Sequence, residues 1–108
     1  MGGQYILDGH RPVPCNNILE WGRWFEKANR HVANDTKNNI NVSTIFLGLD
    51  RSFGQGPPIL FETMVFGGKH NKDMERYSTW KEAEKGHKKM CEIVFAERGI
   101  CYQEAAIV

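Results

Sequence analysis

A chain of 108 residues that is 41% hydrophobic, 11% aromatic and 25% charged reads as one globular domain over 1–108, too short for a second core and too aromatic for disorder. Six basic against five acidic residues in 1–54, and eight against eight in 55–108, leave a net charge of +1 and make no case for a DNA- or RNA-binding surface. No apolar run approaches the ~18 residues of a membrane span and no charged-then-apolar leader follows Met1, so a soluble protein is expected, its three cysteines Cys15, Cys91 and Cys101 reduced in a cytoplasm.

Tyr5-Ile6-Leu7 before Asp8-Gly9 predicts a short strand running into a tight turn, after which Pro12 and Pro14 forbid regular structure. Asn17 with Glu20 forms a capping-box pattern, and Ile18, Trp21, Phe25, Ala28 and Val32 follow at helical spacing, predicting a first helix over 17–33. The turn-formers of 34–39 end it. Two β-branched and aromatic segments, 40–49 and 59–66, predict a long hairpin. Thr79 with Glu82 is a second capping box, opening a helix over 79–97 whose Trp80, Ala83, His87, Met90 or Cys91, and Val94 share a stripe. A short strand at 75–78 precedes it, and 100–108 is a further strand or a tail. The order predicts an α+β two-layer sandwich, an antiparallel sheet with both helices on one face.

Neither face of the hairpin is plainly polar. Ile40, Val42, Thr44 and Phe46 oppose Asn41, Ser43, Ile45, Leu47 and Leu49, and Ile59, Phe61, Thr63 and Val65 oppose Leu60, Glu62, Met64 and Phe66. A sheet solvated on one side alternates more cleanly, so a second copy of the chain is expected to cover the other face as a homodimer, the competing cover being the C-terminal segment.

Glu62 stands on that apolar strand face, where a carboxylate is either paired, with Arg30 or Arg76, or placed to touch a ligand. The loop Leu49–Pro58 exceeds the usual hairpin connection; Arg51 offers a forked donor and Phe53 an apolar tip for a partner, or else Phe53 tucks into the core. The candidate binding residues are therefore Arg51, Phe53, Glu62, Arg30 and Arg76. His87 and Cys91, four apart, have the spacing of a partial zinc site with Cys101 or Cys15, but no Cys-x-x-Cys pair accompanies them and their stripe is apolar, so packing is expected and no metal or cofactor. Gly86, beside His87 in mid-helix, is expected where the helix comes close to a neighbour, with His87 hydrogen-bonded at the contact. Cys15 with His10 makes a thin case for a nucleophile, no carboxylate pair is evident, and Lys81, Lys85, Lys88 and Lys89 alternate with acids as a solvated face.

The segments Tyr5-Ile6-Leu7-Asp8, Trp24-Phe25-Glu26, 43–50, Gly56-Pro57-Pro58, 61–68 and 76–80, with Ala83 and Gly86-His87, resemble a family of small proteins of tailed phages and prophages, over about residues 4–95. No activity comes with that resemblance. It implies a phage product in the cytoplasm of a bacterial host, and with the readings above it leads to a non-enzymatic accessory protein that inhibits an anti-phage defence by binding a host protein effector or a nucleotide-like ligand. The alternatives are a small enzyme acting on a nucleotide and a structural component of the virion.

Overall fold

The alternation read in the central hairpin is realised in the computed structural model, which describes residues 3–54 and 56–99. β4 (Ile40–Phe46) and β5 (Phe61–Phe66) pair antiparallel with Val42 opposite Val65, Thr44 opposite Thr63 and Phe46 opposite Phe61, and all six of these side chains are buried. β3 (His31–Lys37) flanks β4, and β6 (Met74–Tyr77) flanks β5, giving a four-stranded antiparallel sheet in chain order; β1 (Tyr5–Asp8) and β2 (Arg11–Pro14) form a separate two-stranded hairpin. With α1 (Ile18–Lys27) and α2 (Trp80–Gly99) the fold is α+β, as expected.

Helix α2 starts on a complete capping box: the Thr79 hydroxyl accepts from the Glu82 N–H at 3.1 Å, and the Glu82 carboxylate accepts from the Thr79 N–H at 3.2 Å. It lies across the buried sheet face and divides the core. Met90 and Val94 join Ile40, Val42 and Val65 in one apolar cluster, and Ala83 joins Phe46, Leu60 and Phe61 in another, with Leu7, Trp24 and Trp80 around it. Between the two lies a polar layer of Thr44, Thr63 and His87. α1 packs on β1 and reaches the core through Trp24, whose ring meets Phe46 edge-on at 5.8 Å.

Two expectations are corrected. The first helix ends at Lys27 and not at 33: Ala28 caps it in extended conformation, the Asn29 side chain accepts from the His31 N–H, and 31–37 becomes a strand paired with β4. Asn38 and Asn39, with φ of 52° and 68°, make the two-residue reversal between them, a conformation asparagine tolerates far better than most residues. Pro12 and Pro14 lie inside β2, where a two-stranded ribbon leaves the missing N–H groups of proline harmless on an open edge. The segment 100–108, with Cys101, lies outside the described residues.

The second sheet face carries half-buried Ile45 and Met64 with Phe66 and Met74, which are 48% and 43% exposed, so it keeps the apolar character read in the sequence. Gly48 fixes the junction of β4 with α1. At φ 79° it turns the chain where a Cβ would meet the Phe25 ring at 2.9 Å, and its carbonyl accepts from Trp21 Nε1 at 3.2 Å.

Candidate functional site

The five residues singled out in the sequence occupy three settings. Arg30 is structural: its guanidinium lies 4.0 Å over the Phe25 ring, Nη1 donates to the Phe46 carbonyl at 2.8 Å, and burial lowers its pKa. Glu62 is paired with Arg76 at 2.9 Å on the second sheet face, the carboxylate side chain 14% and the guanidinium side chain 38% exposed. Arg51 and Phe53 stand on the long loop, which is held shut at its base because Asp50 Oδ1 accepts from the N–H groups of both Ser52 and Ile59, at 2.8 and 3.0 Å. Phe53 is 83% exposed at φ 59°, so it is an external tip and is not tucked into the core.

A different set of side chains converges beneath α2. Tyr77 donates from its hydroxyl to Thr63 Oγ1 at 3.1 Å; Thr63 and Thr44 hydroxyls are 2.5 Å apart; Thr44 Oγ1 lies 2.7 Å from His87 Nδ1; and His87 Nε2 lies 2.7 Å from Asp35 Oδ2. One assignment of protons satisfies every member. Tyr77 donates to Thr63, Thr63 to Thr44, Thr44 to a neutral His87 at Nδ1, and Nε2–H to the Asp35 carboxylate. The chain passes under Gly86, where any Cβ would collide with the Tyr77 ring and hydroxyl. Gly86 therefore marks a close approach of α2, and His87 is hydrogen-bonded at it, both as the sequence suggested. Burial raises the Tyr77 pKa against the Thr63 hydrogen bond, with the charge of Glu75 adding to the rise.

The chain ends in a cleft between β3 and α2, a cavity of about 500 Å³ whose lining includes Val32, Ala33, Asp35, Lys81, Lys85 and Lys88. His87 and Cys91 also border it, and the Cys91 thiol donates to Asp35 Oδ2 across 3.9 Å. Burial first, then the charge of Asp35, its hydrogen bond and Glu92, push the Cys91 pKa up to about 11. No ion pair holds Lys81, Lys85 or Lys88 among the described residues, so their ammonium groups are available to a ligand.

Sequence reasoning missed this cleft because Asp35 and the wall Val32-Ala33 belong to the strand it had read as helix and turn. The signal within reach was the register: two threonines at cross-strand positions, facing a helix with histidine, require one another as hydrogen-bond partners once buried.

A hydroxyl, an imidazole and a carboxylate in series have the composition of a nucleophile, base and orienting acid, but this series does not work as one. Thr44 is 0% exposed and its hydroxyl is enclosed between Thr63 and His87, beyond the reach of any substrate. Burial and the charge of Asp35 keep the Cys91 thiol protonated at neutral pH in the ligand-free chain, so it is not poised as a thiolate. Comparison with protein-family models, with curated proteins and with solved structures returns no match to this chain.

Proposed function

We propose that the protein is a non-enzymatic binding protein that captures a small anionic, nucleotide-like ligand in the cleft between β3 and α2, and that it serves a phage by withdrawing such a signal from a bacterial defence. The observation that carries the reading is the pairing of an apolar wall with three lysines on one helical face, unpaired among the described residues, over a cavity of about 500 Å³, within the ordinary size range of small-molecule sites. Lys81, Lys85 and Lys88 suit phosphate as point charges, while Asp35 and Glu84 on the same lining accept from the amino groups of a base. The phage context rests on the resemblance carried by segments such as 43–50 and 61–68.

The deciding experiment is isothermal titration of the purified chain with a panel of mononucleotides, cyclic dinucleotides and dinucleotides at low and moderate salt. A member that binds, whose affinity falls at least tenfold in Lys81→Ala/Lys85→Ala and is weakened by salt, supports the reading. No binding by any member, or binding indifferent to the lysine substitutions, refutes it.

The second sheet face favours a homodimer as the working form, because Ile45, Met64, Phe66 and Met74 form an apolar surface around the Glu62–Arg76 pair. Light scattering at tens of micromolar tests this, and a monomeric mass excludes it.

A further inference from the structure

We propose that Asp35, His87 and Cys91 form a three-ligand site for a thiophilic divalent cation, Zn²⁺ in the first instance, whose fourth position opens into the cleft. The sequence offered only His87 and Cys91, one helical turn apart, and the objection to a metal was the missing third donor. The structure supplies it from β3: Asp35 Oδ2 lies 2.7 Å from His87 Nε2 and 3.9 Å from Cys91 Sγ, and all three donor atoms fall within 4.8 Å of one another. Tetrahedral zinc with its usual bonds to nitrogen, oxygen and sulfur sets such atoms roughly 3.3–3.6 Å apart. The carboxylate has to draw back from His87 by about half an ångström, which its 60% exposed side chain allows, and His87 Nε2 and Cys91 Sγ, no more than 4.8 Å apart, have to close toward each other by rotation of the half-buried Cys91 side chain.

The surroundings accommodate the ion. A metal on Nε2 requires the proton of His87 on Nδ1, where it donates to Thr44 Oγ1, the backing contact that metal-bound histidines commonly have. The hydrogen-bond chain then reverses, Thr44 donating to Thr63 and Thr63 to the Tyr77 oxygen. The phenol proton freed at its end turns into a second cavity, of about 190 Å³, which Tyr77 lines on the far side of α2. No buried hydroxyl loses its partner. Uptake of one Zn²⁺ releases one proton, from the Cys91 thiol, while His87 stays neutral and only exchanges tautomers. A divalent ion with one carboxylate and one thiolate is electrically neutral, so the lysines on the rim do not oppose it. Three protein ligands and an open position are the arrangement of sites that take an exogenous ligand.

The inference is independent of the nucleotide reading, because its probe is the metal alone. The full chain, stripped with chelator and kept reduced, is titrated with Zn²⁺ against a competing chromophoric chelator and with Co²⁺ by absorption spectroscopy. The expected result is one equivalent bound at micromolar concentration or tighter, about one proton released, a thiolate-to-cobalt charge-transfer band in the near ultraviolet and the intense visible bands of a tetrahedral centre. Cys91→Ser should abolish the charge-transfer band, and Cys91→Ser and Asp35→Asn should each weaken zinc at least tenfold. Both variants change partly exposed atoms, and circular dichroism with a melting curve checks that they fold as the parent does. Saturation only at millimolar metal, octahedral cobalt spectra, or unchanged affinity in both folded variants overturns the site.

Discussion

Replacing Gly86 by alanine separates the contact described here from ordinary helix propensity, because the two make opposite predictions. In an exposed helix interior, alanine is more favourable than glycine by about 0.8–1.0 kcal/mol. At position 86 the added methyl falls on the Tyr77 ring and hydroxyl, closer than any real Cβ sits to a neighbour. Either α2 lifts from the sheet or Tyr77 swings away, and overpacking of this kind costs about 1–3 kcal/mol. A displaced Tyr77 also gives up its 3.1 Å hydrogen bond to Thr63, worth about 0.5–1.5 kcal/mol. The net expectation is a loss of about 1–2 kcal/mol, or roughly 5–15 °C in melting temperature for a domain of this size. Urea denaturation followed by tryptophan fluorescence gives the free energy directly. The double variant Gly86→Ala/Tyr77→Ala supplies the control: with the ring gone the alanine should stabilise, so the two changes should couple by more than 1 kcal/mol. A Gly86→Ala protein more stable than the parent refutes the close approach, and with it the placement of the hydrogen-bond chain under α2.

Glu62→Ala should cost about 1–2 kcal/mol by thermal melting: the pair is too sheltered to be free of consequence, but the 38% exposure of Arg76 lets water take over the stranded cation. Arg51→Ala and Phe53→Ala should each leave stability within about 0.5 kcal/mol of the parent, since both side chains are on the surface; a large drop for Phe53 in the same melting series contradicts its exposed placement. Burial pushes the Asp50 carboxyl up, but hydrogen bonds from Ser52 and Ile59 outweigh it and hold the group below its ordinary value. Its contribution is therefore present above the ordinary carboxylate range and lost as pH falls through the lowered folded pKa. Asp50→Ala should lower neutral-pH stability by about 1–2 kcal/mol and flatten the acid limb of a melting-temperature profile against pH, whereas an unchanged acid limb removes Asp50 as the loop clamp.

What could be read from the sequence followed from residues whose local preference agrees with their tertiary role. The β-branched and aromatic runs 40–49 and 59–66 gave the hairpin, and Thr79 with Glu82 gave the start of α2 because the capping box is a purely local device. β3 was unreadable for the opposite reason. His31 to Lys37 has little β propensity, Ala28 and Val32 prolong the helical stripe of α1, and the strand exists because β4 offers it a ladder that two asparagines can turn into. The error passed on to function. With β3 read as helix and turn, Asp35 had no place opposite His87 and Cys91, the cleft had no second wall, and the lysines of α2 looked like a solvated face. Glu62 shows the intermediate case, in which the need for a partner was evident from its apolar strand but only the β5–β6 register chose Arg76 over Arg30.

The cleft and the layer beneath it hold two kinds of residue. Thr44, Thr63, Tyr77, Gly86 and His87 answer one structural problem: a helix brought too close for a side chain at position 86 must have every buried hydroxyl beneath it paired. Lys81, Lys85, Lys88, Cys91 and Asp35 line the cleft, and Asp35 and Cys91 with His87 are the group whose donor atoms lie close enough to share an ion. Hydrogen-bond satisfaction in a core constrains the residue types of the first group. Chemistry at the rim is free of that constraint. Ligand identity therefore has to be established on this chain from its own lysines, thiol and carboxylate.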